Sequence, residues 1–290
     1  MQIAYHLGVH ATDEDRITKT LLKNRAALSA DGIVIPWPRH YRHMLRDLVS
    51  RLNGAHASAD LQDALLDAIM AEDTPKRVVF SGENLLGLPQ NVLGGGRLYP
   101  GAASAAVALR NLFADQPVTF TFAIRNPATF LPSLFAKAQP SALGDFLAGT
   151  DPERLRWSDT IAQLRAALPD CPLIVWCDED APVLWPVILQ AITGHAEDRQ
   201  LDYIDDLLAP LLSEQGLADM RAFLAERPPA SESHRRRAVA SFLEKFARPE
   251  AMEVEIDMPG WTGDLLDAMT GSYDADMGRI GRMEGVTLLR

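Results

Sequence analysis

The sequence predicts an α/β fold: a doubly wound parallel sheet with a helical C-terminal third. Three observations support this prediction. Short apolar runs alternate with segments of helical periodicity, the run at 172–177 is apolar throughout, and strand-like runs fade after Gly194. A strand that is apolar at every position suits a parallel sheet, because helices cover both of its faces. Strands that alternate with helices favour right-handed crossovers within one such sheet.

Four apolar runs are predicted to be strands, and a fifth, shorter run is a further candidate. The four are IAYHL at 3–7, RVVFS at 77–81, VTFTFAI at 118–124 and PLIVWC at 172–177, and the shorter one is GIVI at 32–35. We expect the strand at 3–7 to lie at the centre of the sheet, flanked by the other three long strands.

Helical periodicity fills the segments between these strands. Helices are predicted at 14–30, 39–52, 58–72, 102–114, 126–137, 155–168 and 182–193. Asp13 precedes the first of them in the position of a capping residue, and Gly32 follows its end. Residues 200–290 are predicted to form several more helices. The chain is therefore interpreted as one domain, 1–290, with an α/β core at 1–195 and a helical extension at 196–290.

Composition and charge narrow the function classes. The chain has 290 residues, 47% of them hydrophobic, which is ample for a large core. Its net charge of −11 argues against a nucleic-acid partner held by counterion release. No apolar run reaches the roughly 18 residues that a transmembrane helix needs. The opening MQIAYHL also lacks the basic region and long apolar stretch of a signal peptide.

The two cysteines, Cys171 and Cys177, bracket the strand at 172–177. Six residues of extended chain span roughly 20 Å, at about 3.3 Å per residue. A disulfide needs Cα atoms within about 7 Å, so these two cannot pair with each other. Unpaired thiols fit a reducing compartment, and we expect a cytoplasmic protein that binds neither nucleic acid nor membrane.

Several segments together resemble the sulfotransferase family in its bacterial, P-loop-like form. The family begins with a strand that runs into H-x-G-x-x-K-[ST]-G-T-[ST], and here YHLGVHATDED stands at 5–15. The first helix of the family often ends in L-x-x-N-R-x-x-L-x-x-x-G-[IV]-x-x-P, and LLKNRAALSADGIVIP at 21–36 matches it. A second family element, R-x-P-x-x-x-x-x-S after a strand, is similar to RNPATFLPS at 125–133. Weaker matches are VVFSGE at 78–83 and YDADMGRIGRMEGV at 273–286.

This resemblance implies a fold, an activity and a set of site residues. In the family, the loop backbone and its lysine hold the 5′-phosphosulfate of 3′-phosphoadenosine 5′-phosphosulfate, and the arginine and serine of the second element hold the 3′-phosphate. By resemblance, the cofactor-binding residues of this chain are Gly8, Thr12, Arg125 and Ser133. Glu83, at the end of a strand, corresponds to a general base that activates an acceptor hydroxyl.

The loop departs from the family pattern at four positions. Ala11 replaces the lysine, Asp13 replaces a glycine, and Glu14 and Asp15 replace hydroxyl residues. The start of a helix carries about half a positive charge, which acidic side chains satisfy by capping it. The same carboxylates repel a phosphosulfate, and the loss of lysine removes the cation that would neutralise charge as the bond breaks.

We therefore interpret the chain as a divergent sulfotransferase-like protein with impaired or lost binding of the sulfuryl donor. Its ligand is then an unidentified small molecule or protein partner, and it needs no cofactor. The alternative is an active sulfotransferase that moves a sulfuryl group from 3′-phosphoadenosine 5′-phosphosulfate to a hydroxyl or an amine. The sequence leaves open whether the chain is an enzyme.

Each candidate site residue also has a structural interpretation. In that interpretation, Arg125 bonds main-chain carbonyls or a carboxylate, Ser133 is a helix-surface hydroxyl, and Glu83 is a solvated loop carboxylate. The histidines and acids at 6, 10, 13 and 15 form a mixed nitrogen and oxygen set, but their spacing matches no standard metal pattern, and no metal site is predicted.

Three further segments have open or simple interpretations. The glycines at 94–96, together with Arg97, form either a mobile lid or a plain flexible turn. The arginines at 235–237 either face an anionic pocket or form an exposed basic patch. The acidic triplet at 178–180 is expected to cap the helix that follows it.

Overall fold

The main sheet of the computed structural model has six strands, all parallel to their neighbours. The structure describes residues 1–70, 75–252, 256 and 258–290. The sheet strands are β1 (Gln2–Leu7), β2 (Ile33–Val34), β3 (Arg77–Gly82), β6 (Val118–Ile124), β7 (Leu173–Cys177) and β8 (Val286–Leu289); β4 (Leu93–Gly94) and β5 (Arg97–Leu98) form a separate antiparallel hairpin. The order across the main sheet is β2-β3-β1-β6-β7-β8. The predicted parallel sheet is confirmed, with all five candidate strands in it.

The predicted central position of the first strand is also confirmed. On one side, Tyr5 of β1 is aligned with Phe80 of β3, and on the other it is aligned with Phe120 of β6. The Tyr5 ring stacks between these two rings at centroid distances of 5.4 and 5.5 Å. Aligned aromatic side chains on adjacent strands pack closely, which helps to set the strand register.

Helices cover both faces of the sheet, and their bounds follow the predicted segments closely. They are α1 (Arg16–Lys23), α2 (Arg25–Ala30), α3 (Pro38–Leu52), α4 (Ala59–Ile69), α5 (Ala102–Leu112), α6 (Pro127–Ala138), α7 (Leu143–Leu147), α8 (Trp157–Ala167), α9 (Ala181–Thr193), α10 (Glu214–Glu226), α11 (Glu232–Phe246), α12 (Pro249–Met252) and α13 (Gly263–Ile280). The largest core cluster lies under α3, α4, α5, α6, α8 and α13, and a second lies under α1, α2 and α9. A third, small cluster lies between α10 and α11. The end of the helix predicted at 58–72 lies outside the described residues.

The first predicted helix, at 14–30, is two helices, because Asn24 interrupts it. The Asn24 side-chain amide donates to the carbonyl oxygens of Thr20 and Asp202, both at 2.9 Å, and its Oδ1 accepts from the Asp202 N–H at 2.8 Å. A short polar side chain that bonds main-chain groups in this way competes with the helix. The break ties the start of the C-terminal segment to the first crossover.

The C-terminal third is mostly helical, as predicted, but it also contributes a strand. Residues Val286–Leu289 form β8, which pairs in parallel with β7 at the edge of the main sheet. The helix before it, α13, packs on α8 and α6 and returns the chain to that edge. The helical extension predicted at 196–290 therefore ends in a strand that the sequence analysis does not predict.

Two other features bear on the sequence predictions. Cys171 and Cys177 are both free thiols, as the strand spacing requires. Among the helices in the described part of the chain, none has the length and apolar character to cross a membrane.

Candidate functional site

The carboxyl ends of four neighbouring strands meet at one edge of the sheet. Gly8 follows β1, Glu83 follows β3, Arg125 follows β6 and Asp178 follows β7. In open parallel sheets, ligands bind in the crevice outside these ends. Three of the predicted site residues, Gly8, Glu83 and Arg125, therefore lie at the edge where a ligand site is expected.

A cavity of about 270 Å³ opens at this edge between the ends of β1 and β3. Its walls carry four carboxylates and one ammonium group. The lining residues are His6, Gly8, Asp13, Glu14, Asp15, Ser81, Glu83 and Lys137. We call this space the carboxyl-edge cavity. Neither Arg125 nor Ser133 is among its lining residues.

Gly8 begins the loop that forms one wall, and close packing explains why it is a glycine. Its N–H donates to the Gly82 carbonyl oxygen at 3.1 Å. A Cβ added at Gly8 would lie 2.9 Å from the Cα atom of Glu83, closer than such atoms approach in proteins. The backbone of the loop thus contacts the end of β3, where a side chain would not fit.

The loop at 8–15 is held in a conformation that few side chains favour. Ala11, Glu14 and Asp15 have φ values of 54°, 48° and 64°, all in the left-handed region. Non-glycine residues rarely adopt this region, and runs of them usually mark a functional or tightly held segment. The Thr12 hydroxyl donates to the Val9 carbonyl oxygen at 2.6 Å, so this predicted ligand residue is bonded within the loop itself.

The Asp13 carboxylate bonds the first turn of α1, as predicted, but Asp13 is not the residue directly before the helix. α1 begins at Arg16, and Asp15, the residue before it, makes no side-chain capping bond. Asp13 Oδ2 accepts a hydrogen bond from the Ile17 N–H at 3.1 Å, and the Asp13 carbonyl oxygen accepts from the Arg16 N–H at 2.8 Å. These are N–H groups of the first turn of α1, which an anion would otherwise use. A side chain of the protein therefore occupies part of the anion position at this helix start.

Asp15 is held by an arginine from α3. The Arg42 guanidinium donates to both Asp15 carboxylate oxygens, at 2.5 and 3.2 Å, and its Nε donates to the Ser81 carbonyl oxygen at 3.0 Å. This two-point bond holds the pKa of the Asp15 carboxyl below its usual value. Arg42 thereby joins the loop to β3.

Arg125 and Ser133 are both engaged with main-chain atoms. Arg125 Nη1 donates to the Ala11 carbonyl oxygen at 2.5 Å, and its Nε donates to Thr129 Oγ1 at 3.1 Å. The Ser133 hydroxyl donates to the Thr129 carbonyl oxygen at 3.1 Å, one turn earlier in α6. Both side chains have the contacts of their structural interpretations, in which Arg125 bonds a carbonyl and Ser133 lies on its helix.

Glu83, the predicted general base, forms an ion pair with Lys137 of α6 inside the cavity. Both side chains are about one third exposed. The structure therefore places Glu83 in an ion pair rather than as a free, solvated carboxylate.

A buried polar group, His6, lies at the base of the cavity. His6 Nδ1 is 2.8 Å from the hydroxyl of Ser81, which also accepts from the Thr18 hydroxyl at 2.9 Å. The His6 side chain is 1% exposed, and its Nε2 has no hydrogen-bond partner in the described part of the chain. Burial lowers the pKa of His6, while the charges of Asp13 and Asp15 act to raise it. The ring is therefore neutral at physiological pH and keeps one nitrogen free.

The second histidine, His10, ties the loop at 8–15 to the glycine-rich segment. The Tyr99 hydroxyl accepts from the His10 N–H at 3.0 Å and lies 2.8 Å from His10 Nδ1. His10 Nε2 is 3.0 Å from Asn84 Oδ1, just beyond β3. Both ring nitrogens of His10 are thus engaged within the protein.

The glycines at 94–96 belong to the hairpin of β4 and β5 rather than to an unstructured lid. Gly95 and Gly96 have φ values of 58° and 73°, as a tight two-residue hairpin turn requires. Tyr99, just after the hairpin, is 2% exposed. The hairpin has a defined two-residue turn, and Tyr99 anchors it to the loop at 8–15.

Asp178 is the last group at this edge, and its surroundings are unusual for a carboxyl. Burial raises its pKa to about 7, and the nearby Arg125 guanidinium acts to lower it. The next residue, Glu179, accepts from the Asn126 N–H at 2.7 Å and from the Tyr273 hydroxyl at 3.1 Å. The helix α9 has no side-chain cap, so the prediction that 178–180 caps it is wrong. Glu179 instead joins β7 to α6 and α13.

The arginines at 235–237 are mostly engaged away from this edge. Arg235 bonds Glu232 and the Val183 carbonyl oxygen at 2.5 Å, and Arg236 bonds Glu232 and the carbonyl oxygen of Arg290. They connect α11 to α9 and to the end of β8.

Within the described ranges, no group of three or more histidine, cysteine, aspartate or glutamate side chains is arranged to hold a metal ion.

Several residues of the site carry no motif that would reveal them in the sequence. Arg42 and Lys137 lie on helices and meet Asp15 and Glu83 only in the folded chain. Tyr99 and Asn84 likewise contact His10 from distant parts of the sequence. Asp178 is partly predictable from the sequence, because it directly follows an apolar strand.

Comparison of the chain with protein-family models, with curated proteins and with solved structures found no match.

Proposed function

We propose that this chain is a sulfotransferase-like protein that no longer binds the sulfuryl donor in the family manner and instead binds another ligand at the carboxyl edge. One observation carries this proposal. The Asp13 carboxylate accepts the Ile17 N–H at the start of α1, where a donor phosphosulfate would bind. An anion at that position would have to displace a bonded carboxylate of the same charge.

The rest of the loop supports the same conclusion. Ala11 stands where the family has its lysine, and its carbonyl oxygen accepts from Arg125 at 2.5 Å. The arginine that resembles a 3′-phosphate ligand is thus engaged with the loop. Asp15, at a family hydroxyl position, is bonded to Arg42. At each of these positions of the family motifs, this chain therefore has a residue that is bonded to another part of the protein.

The arrangement of the first strand, loop and helix supports the part of this proposal that concerns the fold, which is sulfotransferase-like and P-loop-like. β1 lies at the centre of a parallel sheet, and the loop after it leads into α1, as the motif resemblance implies. A fold alone does not determine an activity, which depends on the residues at the carboxyl edge.

The alternative, an active sulfotransferase, is favoured by one contact. Lys137 projects from α6 into the carboxyl-edge cavity, where it supplies a cation close to the loop that lacks one. In this alternative, Lys137 would neutralise the developing charge and Glu83 would release it to act as the base. In the present arrangement the two side chains neutralise each other.

Thermal unfolding with and without 3′,5′-adenosine bisphosphate tests the proposal. A ligand present at 100 times its Kd would stabilise the protein by about 2.7 kcal/mol, which a melting curve resolves readily. We expect no shift in the melting temperature and no sulfuryl transfer from 3′-phosphoadenosine 5′-phosphosulfate. A clear shift that disappears in Arg125→Ala would instead support the active alternative.

A further inference from the structure

The walls of the carboxyl-edge cavity are predominantly negative. Its charged lining groups are the carboxylates of Asp13, Glu14, Asp15 and Glu83 and the ammonium of Lys137. Lys137 is neutralised by Glu83, and Asp15 is bonded to Arg42 behind the wall. The nearest cation to Glu14 is Arg16 at 4.0 Å, and the Glu14 side chain is 66% exposed. Asp13 and Glu14 thus give the mouth of the cavity its excess negative charge.

A second, independent feature points to a ligand. His6 lines the cavity, is 1% exposed, and has no partner for Nε2 in the described residues. Buried polar atoms without a partner are uncommon in proteins, and each calls for a physical explanation. When Nδ1–H is donated to Ser81, Nε2 carries a lone pair that can accept a hydrogen bond, and the residue that carries it lines the cavity.

We propose that the carboxyl-edge cavity binds a small organic cation, a primary amine whose ammonium group lies between the Asp13 and Glu14 carboxylates and donates to His6 Nε2. This inference rests on the proposed function, because a phosphosulfate in the loop would fill the same edge with the opposite charge. The loop that holds an anion in the resembling family would here hold a cation.

Size and charge favour an organic amine over the other ligand classes. No metal-binding group of side chains is present in the part of the chain that the structure describes, so a bare divalent ion lacks its ligands there. A cavity of about 270 Å³ suits a molecule of a few heavy atoms. The net charge of −11 also attracts cations to the protein and repels anions.

A matched series of four-carbon compounds tests the charge requirement. We would titrate 1,4-diaminobutane, 1,4-butanediol and succinate into the natural protein by calorimetry, since they share a chain length and differ in charge. The diamine is expected to bind at least about tenfold more tightly than the diol, and succinate is expected not to bind. Equal binding of diamine and diol, tighter binding of succinate, or no binding of the diamine would each overturn the inference.

A charge-neutralising variant locates the binding. Asp13→Asn with Glu14→Gln removes both negative charges, while the asparagine oxygen still accepts the Ile17 N–H. Asp63→Asn with Glu226→Gln makes the same change in charge at exposed positions on α4 and α10. The first variant is expected to lose about tenfold or more in diamine affinity, and the second is expected to bind like the natural protein. Equal losses in both would overturn the location.

NMR of the natural protein covers the case in which the first variant does not fold. The His6 ring nitrogens are expected to shift with diamine and not with succinate, and an unchanged His6 signal at saturating diamine would overturn the assignment. The proposed function is tested separately by 3′,5′-adenosine bisphosphate. Binding of that nucleotide overturns the proposed function, whereas failure of the diamine alone overturns only this inference.

Discussion

Arg125, at the end of β6, donates a hydrogen bond of 2.5 Å from Nη1 to the carbonyl oxygen of Ala11 in the loop after β1. Its Nε bonds Thr129, so the guanidinium is held at two points. Ala11 has a φ of 54°, and this hydrogen bond helps to keep the loop in that conformation. A residue that resembles a phosphate ligand therefore anchors the loop to the neighbouring strand.

Arg125→Ala is expected to lower the free energy of unfolding by about 1–3 kcal/mol, because it leaves the Ala11 carbonyl without its partner. Urea unfolding measures this change. Arg97→Ala, at an exposed position of the β4–β5 hairpin, is the control and is expected to change stability by less than about 0.5 kcal/mol. Equal stability of the two variants would contradict the anchoring role.

Gly8→Ala tests the close packing between the loop and β3. The added methyl would lie 2.9 Å from Glu83 Cα, and the backbone would have to move. We expect a loss of about 1–3 kcal/mol in the free energy of unfolding. Gly271→Ala, on an exposed face of α13 with no atom within 4 Å, is the control and should gain about 0.5–1 kcal/mol. If Gly8→Ala left the free energy of unfolding unchanged, the loop backbone would be able to move away from β3 at little cost.

The strands of the sheet are predictable because their signal is local. The run PLIVWC at 172–177 is apolar throughout, and burial between two helix layers favours that pattern. β8 is not predicted, because Val286–Leu289 is short and only partly buried at the sheet edge. The break at Asn24 depends on Asp202, which is distant in sequence. Features that depend on such distant partners leave no local pattern.

The candidate site likewise has some features that the sequence predicts and others that it does not. An acidic side chain at the start of α1 is predictable, since Asp13 precedes a periodic apolar segment, and its carboxylate accepts the Ile17 N–H. The start of the helix at Arg16, after Asp15, is not predicted. The partners of the other site groups are not predictable, because Arg42, Lys137 and Tyr99 reach them from elements that meet only in the folded chain. Sequence locates the loop, whereas the fold determines which charges surround it.

Asp178→Asn is expected to make stability less dependent on pH. The Asp178 pKa is raised from 3.8 to about 7 by burial, so the folded protein holds the proton more tightly than the unfolded chain. Below about pH 3 both states are protonated and the carboxyl has no effect. As the pH rises towards about 7, the unfolded chain ionises first and the folded state loses stability. Near pH 8 the variant should therefore be more stable than the natural protein by roughly 1–3 kcal/mol, and near pH 3 equally stable.

Urea unfolding at the two pH values measures the Asp178 effect. Asp67→Asn, on the exposed face of α4, is the matched control and should leave the pH dependence unchanged. A stability difference for Asp178→Asn that is the same at both pH values would show that the carboxyl is not the group responsible.

Tyr99→Phe tests the link between the hairpin and the loop. The change removes the hydroxyl that accepts the His10 N–H and contacts Nδ1, and it leaves both groups buried without this partner. We expect a loss of about 1–3 kcal/mol in the free energy of unfolding. Hydrogen exchange at His10 should also become faster. Tyr203→Phe, 53% exposed, is the control and should change neither quantity.

Under the proposed function, the charge of the loop keeps a sulfuryl donor from binding. Ala11→Lys, Asp13→Gly and Glu14→Asn together introduce the cation and the glycine of the sulfotransferase motif and remove two carboxylates from the start of α1. Asparagine is preferred to threonine at position 14 because φ is 48° there, where a β-branched residue is strained. We expect the triple variant to gain measurable calorimetric affinity for 3′,5′-adenosine bisphosphate, since the Ile17 N–H loses the Asp13 carboxylate and becomes free to bind an anion. Asp63→Asn, Asp67→Asn and Glu226→Gln change the net charge equally at exposed positions and should give no gain. A folded triple variant with no affinity would mean that the loop conformation, and not its charge, excludes the donor.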